Sequence, residues 1–170
     1  MKKVFFFVLL GLIALGGCNN GQKQTYKKIT DSRSGKPMLV GKVGRDVLFS
    51  EPFRQWAQQG YDDYQVDTSA LDTVKLPDFK MVIVMGTWCP DSRREVPRMF
   101  KILDYLHYPS DSVEIYCVDR NKTAGDYDIR DLNIERIPTF IFYVGGKEKG
   151  RIIESPHKSL EQDMVEILVK

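Results

Sequence analysis

Met81-Val82-Ile83-Val84-Met85-Gly86-Thr87-Trp88-Cys89-Pro90-Asp91-Ser92 is the stretch on which the reading of this chain turns. Its first five residues are apolar without a break, bounded by Lys80 and Gly86. A short uninterrupted apolar run of this kind marks a strand covered on both faces. From Asp91 the period changes. Val96, Met99, Phe100, Leu103 and Leu106 recur at helical spacing, which predicts an amphipathic helix over 91–107. Pro97 lies inside it and, lacking an amide hydrogen, is expected to kink it. Cys89 therefore falls between the end of a buried strand and the start of a helix. The free backbone N–H groups of a first helical turn favour a thiolate there, and thiolates are the nucleophiles of disulfide exchange.

The rest of the chain builds outward from that junction. An apolar strand is expected over 113–118, a short helix over 123–132 and a strand over 138–144. Gly145-Gly146 turns into a strand over 149–153, and a last helix over 155–168 buries Leu160, Met164, Ile167 and Leu168. The two strands joined by the long helix should run parallel, and the last two antiparallel. The result is an α/β domain with a central mixed sheet and helices on both faces. Upstream, 38–43 and 47–49 have the composition of two short strands about a turn at Gly44-Arg45-Asp46. Ser50 is placed to cap a short helix with Pro52 in its first turn and Phe53, Trp56 and Ala57 on one face, ending near Gly60. The stretch 64–66 has strand composition, and Pro77-Asp78 that of a turn.

The chain has 170 residues, 42% hydrophobic and 28% charged, which suits one domain with a real core. Its first residues are of another kind. Lys2 and Lys3 precede an apolar run over 4–15 that is too short for a permanent membrane span. Leu15-Gly16-Gly17-Cys18 closes it and resembles the lipobox of bacterial lipoproteins. That resemblance implies that 1–17 is a signal peptide cleaved before Cys18, with lipid on the Cys18 thiol and new amino terminus. A plain secretory signal is the alternative. The polar 18–37 then reads as a flexible tether, and 38–170 as the domain. The implied location is an extracytoplasmic compartment, periplasm or cell surface, with acyl chains holding the membrane. Without Lys2 and Lys3 the chain carries 23 basic and 23 acidic residues and has no basic stripe, so nucleic acid is not an expected partner. Outside the cytoplasm, Cys89 and Cys117 are free to pair with each other, remain thiols, or link to other proteins.

Three features in order resemble the thioredoxin family and its fold. Trp88-Cys89-x-x-Ser92 matches the family's Trp-Cys-x-x-Cys except at its last cysteine. Pro97 stands where the family's helix proline stands. Asn133-Ile134-Glu135-Arg136-Ile137-Pro138-Thr139-Phe140 looks like the segment ending in the family's cis-proline loop. The resemblance implies that Pro138 is cis, that Trp88, Pro90, Ile137 and Pro138 shape a substrate groove, and that partners are protein thiols or disulfides, or a low-molecular-weight thiol. The family's dithiol members often carry a buried aspartate six residues before the nucleophile, paired with a lysine on the next strand. Those positions are Ile83 and Ile115 here. The charge pair and the thiol it would serve are absent together, which suits a one-cysteine site.

Function follows from that site. Cys89 is the expected nucleophile, Ser92 a hydrogen-bond donor to its thiolate, and Arg93 a stabilising charge on the first helical turn. A monothiol forms a mixed disulfide that an outside thiol must resolve, which suits reduction, isomerisation or covalent holding of a client. The competing class is a non-catalytic binding or scaffold module using the same groove. Cys117 is a candidate second redox cysteine, although a buried strand cysteine acting as a small hydrophobe is the plainer reading. Asp119 is expected to cap the turn after its strand. Glu154-Ser155 stands where the family commonly has glycine beside the groove. His107 and His157, without a cysteine or carboxylate cluster, make no metal site, and no cofactor is called for.

Overall fold

The computed structural model describes residues 25–170. The expected signal peptide, the expected lipidation site Cys18 and the first part of the expected tether lie outside the described residues. The central strand is β3 (Lys80–Met85), followed by α4 (Pro90–Tyr105), β4 (Val113–Cys117), β5 (Thr139–Val144), β6 (Lys147–Ile153) and α5 (Leu160–Val169). Before them come β1 (Tyr26–Thr30), β2 (Pro37–Val43) and three helices, α1 (Arg45–Leu48), α2 (Arg54–Asp62) and α3 (Thr68–Leu71). The strands form one sheet of order β1-β2-β4-β3-β5-β6. β3 and β4 are parallel across the α4 crossover, while β3–β5 and β5–β6 are antiparallel.

The alternation of the strands sorts their side chains into two cores. Met81, Ile83, Met85, Ile115, Cys117, Phe140, Phe142 and Ile152 face one side, where Val96, Met99 and Phe100 of α4 and Leu160, Met164 and Leu168 of α5 cover them. Val84 faces the other side, with Val118, Ala124, Ile129 and Ile137. The segment between β4 and β5 closes that second side, and its helical part is the single 3-10 turn Arg130–Leu132. The helix expected over 123–132 does not form as such. Asp119 accepts hydrogen bonds from the Asn121 and Thr123 N–H groups and the Thr123 hydroxyl. Asp128 accepts from the Arg130 N–H, and Gly125 and Asn133 take left-handed backbone angles. Side chains that capture local N–H groups compete with the helical ladder, and here they win.

The amino-terminal half differs from expectation in several places. Residues 26–30, expected as tether, form β1, which pairs antiparallel along the whole of its length with β2. β1 is almost entirely exposed, so it carries no apolar alternation to reveal it. The strand expected at 47–49 is the turn of α1, because Leu48, between Val47 and Phe49, is the side chain buried in the core. Ser50 does not cap α2; its hydroxyl donates to the Val47 carbonyl, and Phe53 occupies the N-cap position. Residues 64–66 are irregular, with the Tyr64 hydroxyl donating to the fully buried Glu161. α5 starts at Leu160, later than expected, where Ser159 accepts from the Gln162 N–H. Pro97 sits inside α4, and a Cβ on Gly60 of α2 would lie 3.3 Å from its ring carbons, so a glycine there lets the two helices meet closely.

Candidate active site

The end of β3 and the start of α4 place Cys89. It is the N-cap residue of α4, in extended conformation, with Pro90 following at the first helical position and exposed. Its sulfur is buried, 7% of the residue being exposed, and donates to the Ile137 carbonyl at 3.5 Å. The Ile137–Pro138 peptide is cis, as the resemblance implies. Sulfur, Ile137 carbonyl and the Pro138 ring thus share one spot, reached from β3 on one side and from the strand entering β5 on the other. Ser92 lies under it, wholly buried, and its hydroxyl accepts from the Gly86 N–H at 3.2 Å. Among the described hydrogen bonds the sulfur's goes to Ile137 and the Ser92 hydroxyl's to Gly86, so Ser92 supports the loop that carries Cys89.

Ile83 and Ile115 are register partners on β3 and β4 and both are buried in the helix-covered core. The place of a charge pair is filled by two aliphatic side chains. Cys117 lies two residues further along β4 in that same core and is paired in register with Met85. Cys89 packs in the core on the opposite side of the sheet, and both cysteines are free. The sheet itself separates them, so the candidate Cys89–Cys117 couple is not formed, the plainer reading of Cys117 as a buried strand cysteine holds, and full burial pushes its thiol well above the usual range.

Arg93 is also placed differently from expectation. Its Nε donates to the Thr87 carbonyl at 2.6 Å and its guanidinium lies 5.8 Å from the Trp56 ring. It braces the loop before Cys89. The rim of the site is polar instead. Arg94 bridges Asp91 on α4 and the Ser155 hydroxyl, each at 2.8 Å. Glu154 takes a left-handed φ of 61°, where a glycine would be at ease, and its N–H donates to the Pro138 carbonyl. Its carboxylate pairs with Arg136, the residue before Ile137. His107 and His157 are exposed and stand apart from this constellation.

Sequence reasoning missed a second layer, contributed by the β1–β2 hairpin. Asp31, wholly buried, accepts a bidentate pair of hydrogen bonds from Arg120, both 2.7 Å, and further ones from the Arg33 N–H and the Ser34 hydroxyl. The Arg120 guanidinium lies 4.4 Å from the Trp88 ring. Trp88 in turn donates its indole N–H to the Val118 carbonyl at 2.9 Å, and Thr87 accepts from the Leu39 N–H of β2. Arg120 first, then Ser34, hold the Asp31 carboxyl far below the usual carboxylate range. Arg45 does the same, less strongly, for Asp104. A carboxyl depressed in the folded state adds stability that is complete above its unfolded value, about 3.9, and is lost as the pH falls through that value and below. The melting temperature should therefore hold steady from neutral pH to about pH 5 and fall steeply below about pH 4. Arg120→Gln should shrink that acid limb. Thermal melts across the range check it, and a flat profile down to about pH 3 would defeat it.

Strand order, cis-proline and a cysteine at the head of the crossover helix define a thioredoxin-like fold carrying a one-cysteine site. The mitochondrial thioredoxin O of Oryza sativa subsp. japonica is 29% identical to this chain over 96 residues, covering 56% of this chain and 52% of that protein. The chain thus spans about half the length of the curated relative it matches. Oxidised thioredoxin O2 of Arabidopsis thaliana is 25% identical over 51% of this chain and 72% of that one, with a TM-score of 0.34. A Pseudomonas aeruginosa protein of unknown function covers 68% of this chain and 79% of its own, at 14% identity and a TM-score of 0.44. No protein-family model matches the chain.

Proposed function

We propose that this protein is a thiol–disulfide exchange protein of the cell envelope, tethered through lipid on Cys18, with Cys89 as its single nucleophile. The observation that carries the reading is the meeting of Cys89, at the N-cap of α4, with the cis-Pro138 loop, above a serine in place of a second thiol. The Cys89 thiolate attacks one sulfur of a client disulfide. A new S–S bond forms, the old one breaks, and the client's other sulfur leaves as a thiolate. A second thiol, on the client or a low-molecular-weight thiol, then attacks the mixed disulfide and returns Cys89 as thiolate. Electrons balance within each exchange, so the protein needs no bound redox group. The Ile137 carbonyl, which the thiol engages in the resting state, is open to a client chain once the sulfur turns to it.

Acid trapping of cells followed by non-reducing separation tests the reading. Envelope proteins should be linked to the wild-type chain by disulfides that reductant removes, and Cys89→Ser should abolish all of them, whereas Cys117→Ser should leave them in place. Partners recovered equally well with Cys89→Ser would sink exchange chemistry and favour a binding module using the same groove.

A further inference from the structure

The contacts running from Asp31 through Arg120 to Trp88 take no part in the exchange steps, yet they end on the residue before the nucleophile. We infer that Arg120 is a positioning residue for Cys89: fixed by Asp31 of the β1–β2 hairpin, it clamps the Trp88 ring and supplies the positive charge that the thiolate meets. The inference rests on the reading of Cys89 as a nucleophile.

The clamp holds the half-buried ring at its face and at one edge. The indole stacks under the guanidinium at 4.4 Å, and its N–H is held by the Val118 carbonyl. The edge that carries this N–H packs on bare backbone, since a Cβ on Gly86 would lie 2.8 Å from Trp88 Cε2 and Nε1. Arg120 has as little freedom. Two of its nitrogens engage a carboxylate that is itself wholly buried and holds two further donors, so the plane presented to the indole is set by the hairpin. Lys27 of β1 ties the same hairpin to Asp126 on the segment that covers the second core.

The charge follows from the same geometry. The guanidinium lies on the ring of Trp88, the residue that precedes Cys89, while Asp31 grips it from the hairpin. The cation is therefore the member of the pair that touches the residue beside the sulfur. The other charged groups around Cys89 have partners of their own. Asp91 pairs with Arg94, Arg93 serves the Thr87 carbonyl, Asp119 holds its own turn, and Arg136 pairs with Glu154.

The test is the rate at which iodoacetamide alkylates Cys89 in the full chain near neutral pH, read by peptide mass spectrometry. The thiolate forms a bond to the methylene carbon and iodide leaves with the electron pair. Arg120→Gln keeps a planar group able to donate to Asp31 but loses the charge; Asp31→Asn keeps the shape of the counter-ion but loses its charge. Arg120→Gln should slow alkylation by about threefold to tenfold, and Asp31→Asn should speed it, by a smaller factor because that charge is more distant. A clamp that is only structural predicts one direction for both, because either change loosens Trp88 and uncovers the sulfur. Rates that move the same way, or neither by as much as twofold, overturn the inference. If a single variant does not fold, the double variant, which leaves no buried charge unpaired, carries the test: its rate should fall below wild type, and equality with wild type overturns the inference. The wild-type rate by itself bears on the parent reading, which fails if Cys89 reacts no faster than buried Cys117. The ratios between variants bear on Arg120 alone.

Discussion

Ser92→Cys is expected to cut the recovery of Cys89-linked mixed disulfides by about tenfold or more, because it supplies inside the chain the thiol that must otherwise come from outside. Position 92 is on the first turn of α4, wholly buried, with its side-chain oxygen 3.2 Å from the Gly86 N–H. A sulfur there lies one helical turn from Cys89 and attacks the mixed disulfide at high effective concentration. The client leaves as a dithiol, and the variant is left with a disulfide between Cys89 and the introduced thiol. Its intact mass drops by about two hydrogens. The surroundings set a limit on how fast this runs. A thiol buried beside apolar groups resists ionisation, and only the thiolate attacks. Release should therefore be visible over a chase that precedes the acid quench rather than at the first time point. Trapped complexes that survive the chase undiminished would show that position 92 does not face the mixed disulfide, which would undo the placement of the whole site.

What the sequence disclosed and what it hid follow from how local each signal is. Residues 81–92 announce themselves because an uninterrupted apolar run, a cysteine and a helical period all lie within a few residues of one another. The cis-proline loop was legible for the same reason. Asp31 and Arg120 were not, because the pair spans 89 positions. A buried carboxylate reads as a polar linker residue until its partner is known, and β1 beside it is exposed along nearly all of its length. The available hint was a turn: Gly35, at a φ of 68°, closes the hairpin four residues after Asp31. Arg93 shows the opposite failure. It adjoins Cys89 in sequence, but the helix aims it at the Thr87 carbonyl, and the cation that lies on Trp88 beside the sulfur arrives from the loop after β4. For Cys117 the strand parity was right, and its side chain does share a face with Ile115. What parity within one strand does not report is which side of the sheet the next loop approaches, and Cys89 approaches from the other side.

Ile83→Asp should destabilise the protein by about 3–5 kcal/mol and do so increasingly as the pH rises. Ile83 is wholly buried between Ile115 on β4 and Phe140 on β5, its register partners. The substitution removes most of a buried aliphatic side chain and leaves a carboxyl among neighbours that offer it no donor. Burial raises the pKa of such a group in the folded state. The folded chain then keeps a proton that the unfolded chain releases, so stability falls with rising pH from the unfolded value, about 3.9, up to the folded one, by about 1.4 kcal/mol per pH unit. Ile115→Lys on the facing position gives the carboxylate a partner, and the double variant should recover a good part of the loss, with a coupling larger at neutral than at acid pH. Denaturant melts of the four proteins at two pH values measure it. An Ile83→Asp chain as stable as wild type at neutral pH would mean that water or a polar group already reaches that spot. The apolar core around Ile83 and Ile115 would then be no obstacle to a second thiol, and the argument that Ser92 and the two isoleucines belong to one design would fail with it.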